Sequence, residues 1–173
     1  MLGRLFVVAT PIGNLSDISE RAKATLASVD VILCEDTRVT GKLLKAYRID
    51  TRTLSYHQHS GGMKTKKIIE ILESGQDLAL VTDAGTPAIS DPGGKLIEEL
   101  IAKFGENFSV SPIPGASAAI SALSVAGFPA DEYVFLGFPP HKKGRQTFFD
   151  RVASIESTIV LYESTHRILK TLL

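Results

Sequence analysis

Residues 82–93 read Thr-Asp-Ala-Gly-Thr-Pro-Ala-Ile-Ser-Asp-Pro-Gly and follow the apolar run Leu78 to Val81. Small side chains after a buried strand let backbone amides and carbonyls approach a ligand that larger residues would hold off. Two further loops share this character. Ala9-Thr10-Pro11-Ile12-Gly13-Asn14 closes the apolar run that starts at Leu5, and Pro112-Ile113-Pro114-Gly115-Ala116-Ser117-Ala118 follows Phe108 to Ser111. Three such loops imply one shared ligand crevice. Carboxylates and an imidazole stand at other strand ends: Glu35 and Asp36 after Val31 to Cys34, and Glu163 and His166 after Thr158 to Tyr162. Groups of this kind can take a proton from a weak nucleophile when held within hydrogen-bond reach. They serve equally well as helix caps or ion-pair partners.

Several chemistries are disfavoured by what the loops lack. Gly41-Lys42 and Gly94-Lys95 have no upstream glycine at phosphate-loop spacing, and each lysine is followed by leucine where magnesium binding wants Ser or Thr. No Gly-x-Gly-x-x-Gly follows the first strand, because Pro11 and Ile12 occupy that turn, so a nicotinamide enzyme is poorly supported. Asp36, Asp83 and Asp91 have no histidine at metal-ligand spacing, and no metal site is expected. The single cysteine, Cys34, lies in an apolar run and reads as a buried small hydrophobe, which fits a reducing cytoplasm. Nineteen basic residues balance nineteen acidic ones, so charge neither demands nor excludes a nucleic acid. No apolar stretch reaches membrane-spanning length, and no signal pattern precedes the first strand.

These residues must be positioned by alternating strands and helices. Strands are expected at Leu5 to Ala9, Val31 to Cys34, Leu78 to Val81 and Phe108 to Ser111. Helices are expected at Ser19 to Ser28 with Ser19 as N-cap, Thr40 to Tyr47, Lys64 to Glu73, Gly94 to Lys103 and Ala116 to Val125. The stretch between Tyr47 and Lys64 reads as a polar loop. Such alternation implies an α/β fold with a mostly parallel sheet. Gly127 and Pro129 break the pattern, which places a domain boundary there: 1–127 as the N-terminal α/β domain with the three loops, and 128–173 as the start of a second α/β domain. The second part offers strands at Tyr133 to Phe138 and Thr158 to Tyr162, and helices at Gln146 to Ala153 and Thr165 to Leu172. Two strands and two helices can hardly enclose a core. The second domain is therefore expected to be truncated, with self-association as a consequence for residues 1–173.

Taken in order, the loops carry a resemblance. Thr10 to Ile18, Glu35-Asp36-Thr37-Arg38, Asp83 to Gly93 and Pro114 to Ala118 closely resemble the tetrapyrrole methylase superfamily, and Gly137-Phe138-Pro139-Pro140, Lys142-Lys143-Gly144 and Tyr162 to Arg167 continue the match. The resemblance covers essentially the whole chain and is strongest to members that methylate small-subunit rRNA. It implies two α/β domains, S-adenosylmethionine as cofactor, a homodimer, a cytoplasmic location, and methylation of a cytidine ribose 2′-hydroxyl in small-subunit rRNA or a ribosomal particle. Carried over by position, it implies that Ile12, Thr86, Ile89, Ala116 and Ser117 touch the cofactor, with Gly13, Asp83, Ala84 and Gly85 beside them. Methyl transfer from a sulfonium needs placement and exclusion of water more than acid–base power, which backbone-rich loops can supply.

A ribose hydroxyl still has to lose its proton, and Asp36, Glu163 and His166 are the candidates at strand ends. For RNA contact the candidates are Lys142, Lys143 and Arg145, with Arg38 able either to clamp a phosphate or to pair with Asp36. A second basic group, His57, His59, Lys64, Lys66 and Lys67, reads more readily as a solvated face. Two alternatives stay open. A superfamily methyltransferase could act on a corrin or tetrapyrrole precursor, or on another small molecule, and a cofactor-dependent RNA-binding module would need no catalysis.

Overall fold

The computed structural model describes residues 1–57 and 61–173. The chain divides into two compact units, Met1–Ser117 and Ala118–Leu173. The first is a five-stranded, wholly parallel sheet: β1 (Leu5–Val8), β2 (Val31–Cys34), β3 (Thr53–Ser55), β4 (Leu78–Leu80) and β5 (Val110–Ile113), in the order β3-β2-β4-β1-β5. Its helices are α1 (Glu20–Ser28), α2 (Thr37–Ala46), α3 (Gly61–Glu73) and α4 (Gly93–Phe104).

A strand buried on both faces can be apolar throughout, and β2 is Val-Ile-Leu-Cys with every residue buried. Alternation along the strands then divides the core. Leu5, Val31, Leu33, Leu78 and Leu80 pack with Ile68 and Leu72 of α3 and Leu96 and Leu100 of α4. Val8, Ile32, Cys34, Ala79 and Val81 pack on the opposite face with Ala22 and Leu26 of α1 and Leu44 of α2. The connections through α1 and α2 run toward the β3 edge, and those through α3 and α4 run back toward β5. Opposite directions on opposite faces are what right-handed crossovers require. The chain thus leaves β1 and its neighbour β4 in opposite senses, which opens a crevice at their C-terminal ends.

Helix starts follow local chemistry. The Ser19 hydroxyl accepts from the Ala22 amide at 3.1 Å, the expected cap of α1. α2 begins at Thr37 rather than Thr40, because the Asp36 carboxylate caps it by accepting from the Arg38 amide at 2.8 Å. The expected polar loop after Tyr47 contains β3, a three-residue edge strand paired with β2. β5 lies two residues later than expected and includes Pro112, tolerated because β5 is an edge strand.

The second unit holds α5 (Ala118–Ala126), β6 (Tyr133–Phe135), α6 (Arg145–Ala153), β7 (Thr158–Val160) and α7 (Ile168–Leu172), with β6 and β7 paired in parallel. The break between units falls before α5, not at the expected turn near Gly127. Of α5 only Ala119 is buried. Around β6 and β7, Tyr162 packs edge-on to Phe135 with ring centres 4.9 Å apart, and it also meets Phe138.

Candidate functional site

The three loops expected to share a crevice leave the adjacent strands β4, β1 and β5, and backbone contacts tie them together. Thr10 and Gly85 exchange amide–carbonyl hydrogen bonds of 2.9 and 3.1 Å, an isolated antiparallel bridge between the first loop and the second. The Thr10 hydroxyl is buried and donates to the Thr82 carbonyl at 3.1 Å. Thr86 closes the other side by donating its hydroxyl to the Ala116 carbonyl at 3.1 Å. Gly115 lies so close to the first loop that a Cβ there would stand 2.8 Å from the Ala9 Cβ.

Gly85 sits where all three loops meet. Its φ of +87° belongs to the left-handed region, and an added Cβ would face the Ile12 side chain at 3.5 Å and the Ala116 carbonyl at 3.8 Å. Ala88 and Ser90 are also left-handed, at φ of +69° and +56°, which is uncommon for residues with side chains. Asp91 holds that curve by accepting from the amides of Ala88 and Gly93 at 3.3 and 3.0 Å. Ile12 and Ile89 meanwhile stay exposed, 36% and 52%. Apolar side chains displayed beside fixed backbone groups suit a ligand that is part aromatic ring and part polar chain. Of the nine residues expected around a cofactor, Ile12, Gly13, Asp83, Ala84, Gly85, Thr86, Ile89, Ala116 and Ser117 all lie on these three loops. Beside them a cavity of about 410 Å3 runs between the first loop and α2, walled by Pro11, Leu15, Val39, Lys42 and Asp83. Leu15, Val39 and Lys42 were not singled out by sequence, since only the fold brings α2 next to the first loop.

Four carboxylates gather at the ends of β2 and β4, and their environments differ. Asp36 receives Arg38 in three side-chain hydrogen bonds besides the cap, 3.1 and 3.3 Å from Nε and 2.7 Å from Nη2, and these hold its carboxyl far below the usual carboxylate range. Arg38 is therefore paired with Asp36, the second of its two expected roles. Such a pair leaves Asp36 a weak proton acceptor. Burial, then the charges of Asp91 and Asp83, push Glu35 upward, against a smaller opposing effect of His57. Asp83 is raised in the same way, by burial and by Asp36 and Asp91, although the Asp36 backbone N–H offsets part of this. Burial also raises the thiol of Cys34, with Asp83 and Asp36 adding to it and a hydrogen bond with Thr40 opposing.

In the second unit Glu163 is enclosed, its side chain only 5% exposed. It accepts from the Ser164 amide at 2.8 Å and the Thr171 hydroxyl at 2.7 Å, and lies 3.1 Å from Arg167 Nη2. Burial pushes its proton affinity up, but these hydrogen bonds and the Arg167 charge outweigh it and the net shift is downward. His166, Lys142 and Lys143 are exposed, whereas Arg145 is half-buried and donates to the Pro140 carbonyl and to Thr171. Lys64 donates to Ser55 at 3.1 Å, and His59 lies outside the described residues.

The family model for Tetrapyrrole (Corrin/Porphyrin) Methylases matches residues 4–173. The chain belongs to the tetrapyrrole methylase family. A relative named Ribosomal RNA small subunit methyltransferase I, from Synechocystis sp., is 50% identical over 173 residues, 99% of this chain and 61% of the relative. The chain spans about three fifths of the length of the curated relatives it matches. Two solved structures share the fold at low identity. Uroporphyrin-III-C-methyltransferase from Thermus thermophilus aligns with a TM-score of 0.62 at 21% identity, over 98% of this chain and 72% of its own. Diphthine synthase aligns with a TM-score of 0.72 at 15% identity, over 95% and 65%. Among the described residues no helix is long and apolar enough to cross a membrane.

Proposed function

We propose that this chain forms the cofactor-binding and acceptor-recognising part of an S-adenosylmethionine-dependent methyltransferase that modifies the ribose 2′-hydroxyl of a cytidine in small-subunit rRNA. The observation that carries the rRNA part of this reading is the 50% identity, over 99% of the chain, to a relative named Ribosomal RNA small subunit methyltransferase I, while the cytidine 2′-hydroxyl comes from the family resemblance. Its three convergent loops fit the cofactor. Ile12 and Ile89 offer apolar contact, Gly85 leaves the junction open, and Thr86, Ala116, Ser117, Gly13, Asp83 and Ala84 frame it with backbone and small polar groups.

When bound, S-adenosylmethionine supplies an electrophilic methyl group. The chain must then orient the acceptor, keep water out and receive one proton. Fixed loops suit the first two tasks, because placement costs little when the site is already rigid. We assign the proton to Glu35, whose proton affinity is raised by burial and by Asp91 and Asp83, rather than to the ion-paired Asp36. Asp36 then acts by holding Arg38. Glu163 organises the second unit, and the exposed His166 is the alternative proton carrier there. Lys142, Lys143 and Arg145 supply charge for RNA. The reading extends to a homodimer working in the cytoplasm, where ribosomal subunits mature.

Methyl transfer from labelled S-adenosylmethionine to deproteinised small-subunit rRNA, to small subunits and to a tetrapyrrole tests this reading. Label in an alkali-resistant dinucleotide is the expected product, because a 2′-O-methyl group blocks backbone cleavage. Label on the tetrapyrrole instead would overturn the choice of acceptor. Cofactor-dependent RNA binding without transfer would make the chain a binding module.

A further inference from the structure

We propose that the second unit carries a preformed phosphate pocket that seats a backbone phosphate of the RNA acceptor, a proposal that rests on the RNA reading above. The pocket is a cavity of about 250 Å3 walled by His141, Lys142, Arg145, Arg167, Lys170 and Thr171. Its volume is several times the roughly 30 Å3 that one water occupies in the liquid, ample for a tetrahedral anion. Four of its six wall residues are permanent cations and none is a carboxylate. Glu163, the nearby acid, is enclosed and engaged with Thr171, Ser164 and Arg167. Glu163 pairs with Arg167 and also feels the charge of Arg145, so one carboxylate stands against the four cations of the wall.

Cations gathered in this way repel unless an anion lies between them. The two arginines are held in place nonetheless. Arg145 donates Nη1 to the Pro140 carbonyl at 3.2 Å and Nη2 to the Thr171 hydroxyl at 2.9 Å, and its guanidinium lies 4.8 Å from the centre of the Phe149 ring. Arg167 donates Nη2 to the Pro139 carbonyl at 2.7 Å. Thr171 links the two by accepting from Arg145 while donating to Glu163. A guanidinium has five N–H donors, and these bonds employ only some of them. Two arginines needed solely to latch residues 139 and 140 would not require Lys142 and Lys170 in the same wall. Fixed forks beside flexible ammonium groups match a phosphodiester, whose unesterified oxygens accept from several donors at once. Exposed Lys143 next to the pocket favours a polymer over a free anion, since a second phosphate can meet it.

The test uses the full chain, with Lys142→Ala and Lys170→Ala combined as the main variant, because both side chains are exposed and neither holds the fold. Arg145→Lys is the second variant, keeping the charge but removing the fork. Arg151→Ala is the control, an exposed arginine on α6 outside the cavity. Inorganic phosphate is titrated while the His141 ring resonances are followed, and binding to small-subunit rRNA is measured over a salt series. Phosphate should move His141 in the wild type and not in the double variant. The slope of log affinity against log salt should fall by about 0.7 in the double variant, the loss of one phosphate contact on a single strand, and stay put in Arg151→Ala. Arg145→Lys should weaken phosphate binding with the slope retained. Salt-dependent rRNA binding with an unmoved His141, or with an unchanged slope in the double variant, overturns the pocket and leaves the RNA reading intact. Phosphate-induced shifts in a protein that shows no salt-dependent rRNA binding overturn the RNA source, and the RNA reading with it.

Discussion

Replacing Gly85 probes the crevice at the one point where three loops meet. At φ of +87° an L-residue is strained, which costs about 1–2 kcal/mol for alanine and more for a β-branched side chain. Space is not the obstacle for alanine: its Cβ would make ordinary contacts, 3.5 Å to Ile12 Cγ2 and 3.8 Å to the Ala116 carbonyl. Valine adds two methyl groups one bond further out, in the gap between Ile12 and Ala116 that the cofactor is proposed to use. Gly85→Ala should therefore lose about 1–2 kcal/mol of stability and bind S-adenosylmethionine several-fold more weakly. Gly85→Val should lose at least tenfold in affinity, about 1.4 kcal/mol. Urea unfolding gives the first quantity and titration calorimetry the second. Folded variants of both kinds that bind with wild-type affinity would remove this loop junction from the site.

Other positions give sharper readings of single interactions. Thr10→Val keeps the shape of a buried side chain but deletes its bond to the Thr82 carbonyl, and should lower the urea-derived stability by about 1 kcal/mol. Gly115→Ala places a Cβ 2.8 Å from that of Ala9, so the third loop must move away from the first; about 1–3 kcal/mol of stability should go, together with cofactor affinity. The carboxyl of Glu35 is raised by burial and by Asp91 and Asp83, so it contributes stability that is complete below its unfolded value near about 4.3 and is lost as pH rises through the higher folded value. Glu35→Gln removes that dependence: relative to wild type the variant should gain stability from acid toward neutral pH, while methyl transfer falls, and a gain confined to acid would contradict the raised affinity.

Much of the architecture could be read from residue order because it depends on local signals. Val31 to Cys34 is apolar on both faces and became the doubly covered β2, and Ser19 became the cap of α1. The misses have physical causes. Thr53–Ser55 is short, half-buried and two-thirds hydroxyl, and becomes a strand only because the edge of β2 offers it hydrogen bonds. Pro112 looks like a strand terminator, yet an edge strand needs no donor on its open side. The break before α5 was hidden because a helix rich in Ala and Ser reads the same whether or not its apolar face is covered. Loop character was visible at the site, but the ties were not. Thr10 and Gly85 are seventy-five residues apart, and their bridge exists because strands that are first and fourth in the chain lie side by side.

The site residues divide by what they do to the backbone. Thr10, Gly115 and Asp91 tie loops together or fix their curvature, and they touch groups already committed to the fold. Ile12 and Ile89 are displayed from the same loops with much of their surface free. The two left-handed residues, Ala88 and Ser90, belong between these classes: their conformation is unfavourable alone, and it persists because Asp91 accepts from amides on both sides of the bend. A crevice built in this way selects its ligand through backbone shape more than through charged side chains. The same frame could therefore accept one cofactor while the acceptor is chosen elsewhere, by groups such as the cationic wall around Arg145 and Arg167. The fold itself is shared at 15–21% identity with proteins named for uroporphyrin-III and for diphthine. Substitutions among the tying residues should move stability and cofactor affinity together, whereas substitutions in the cationic wall should move RNA affinity alone.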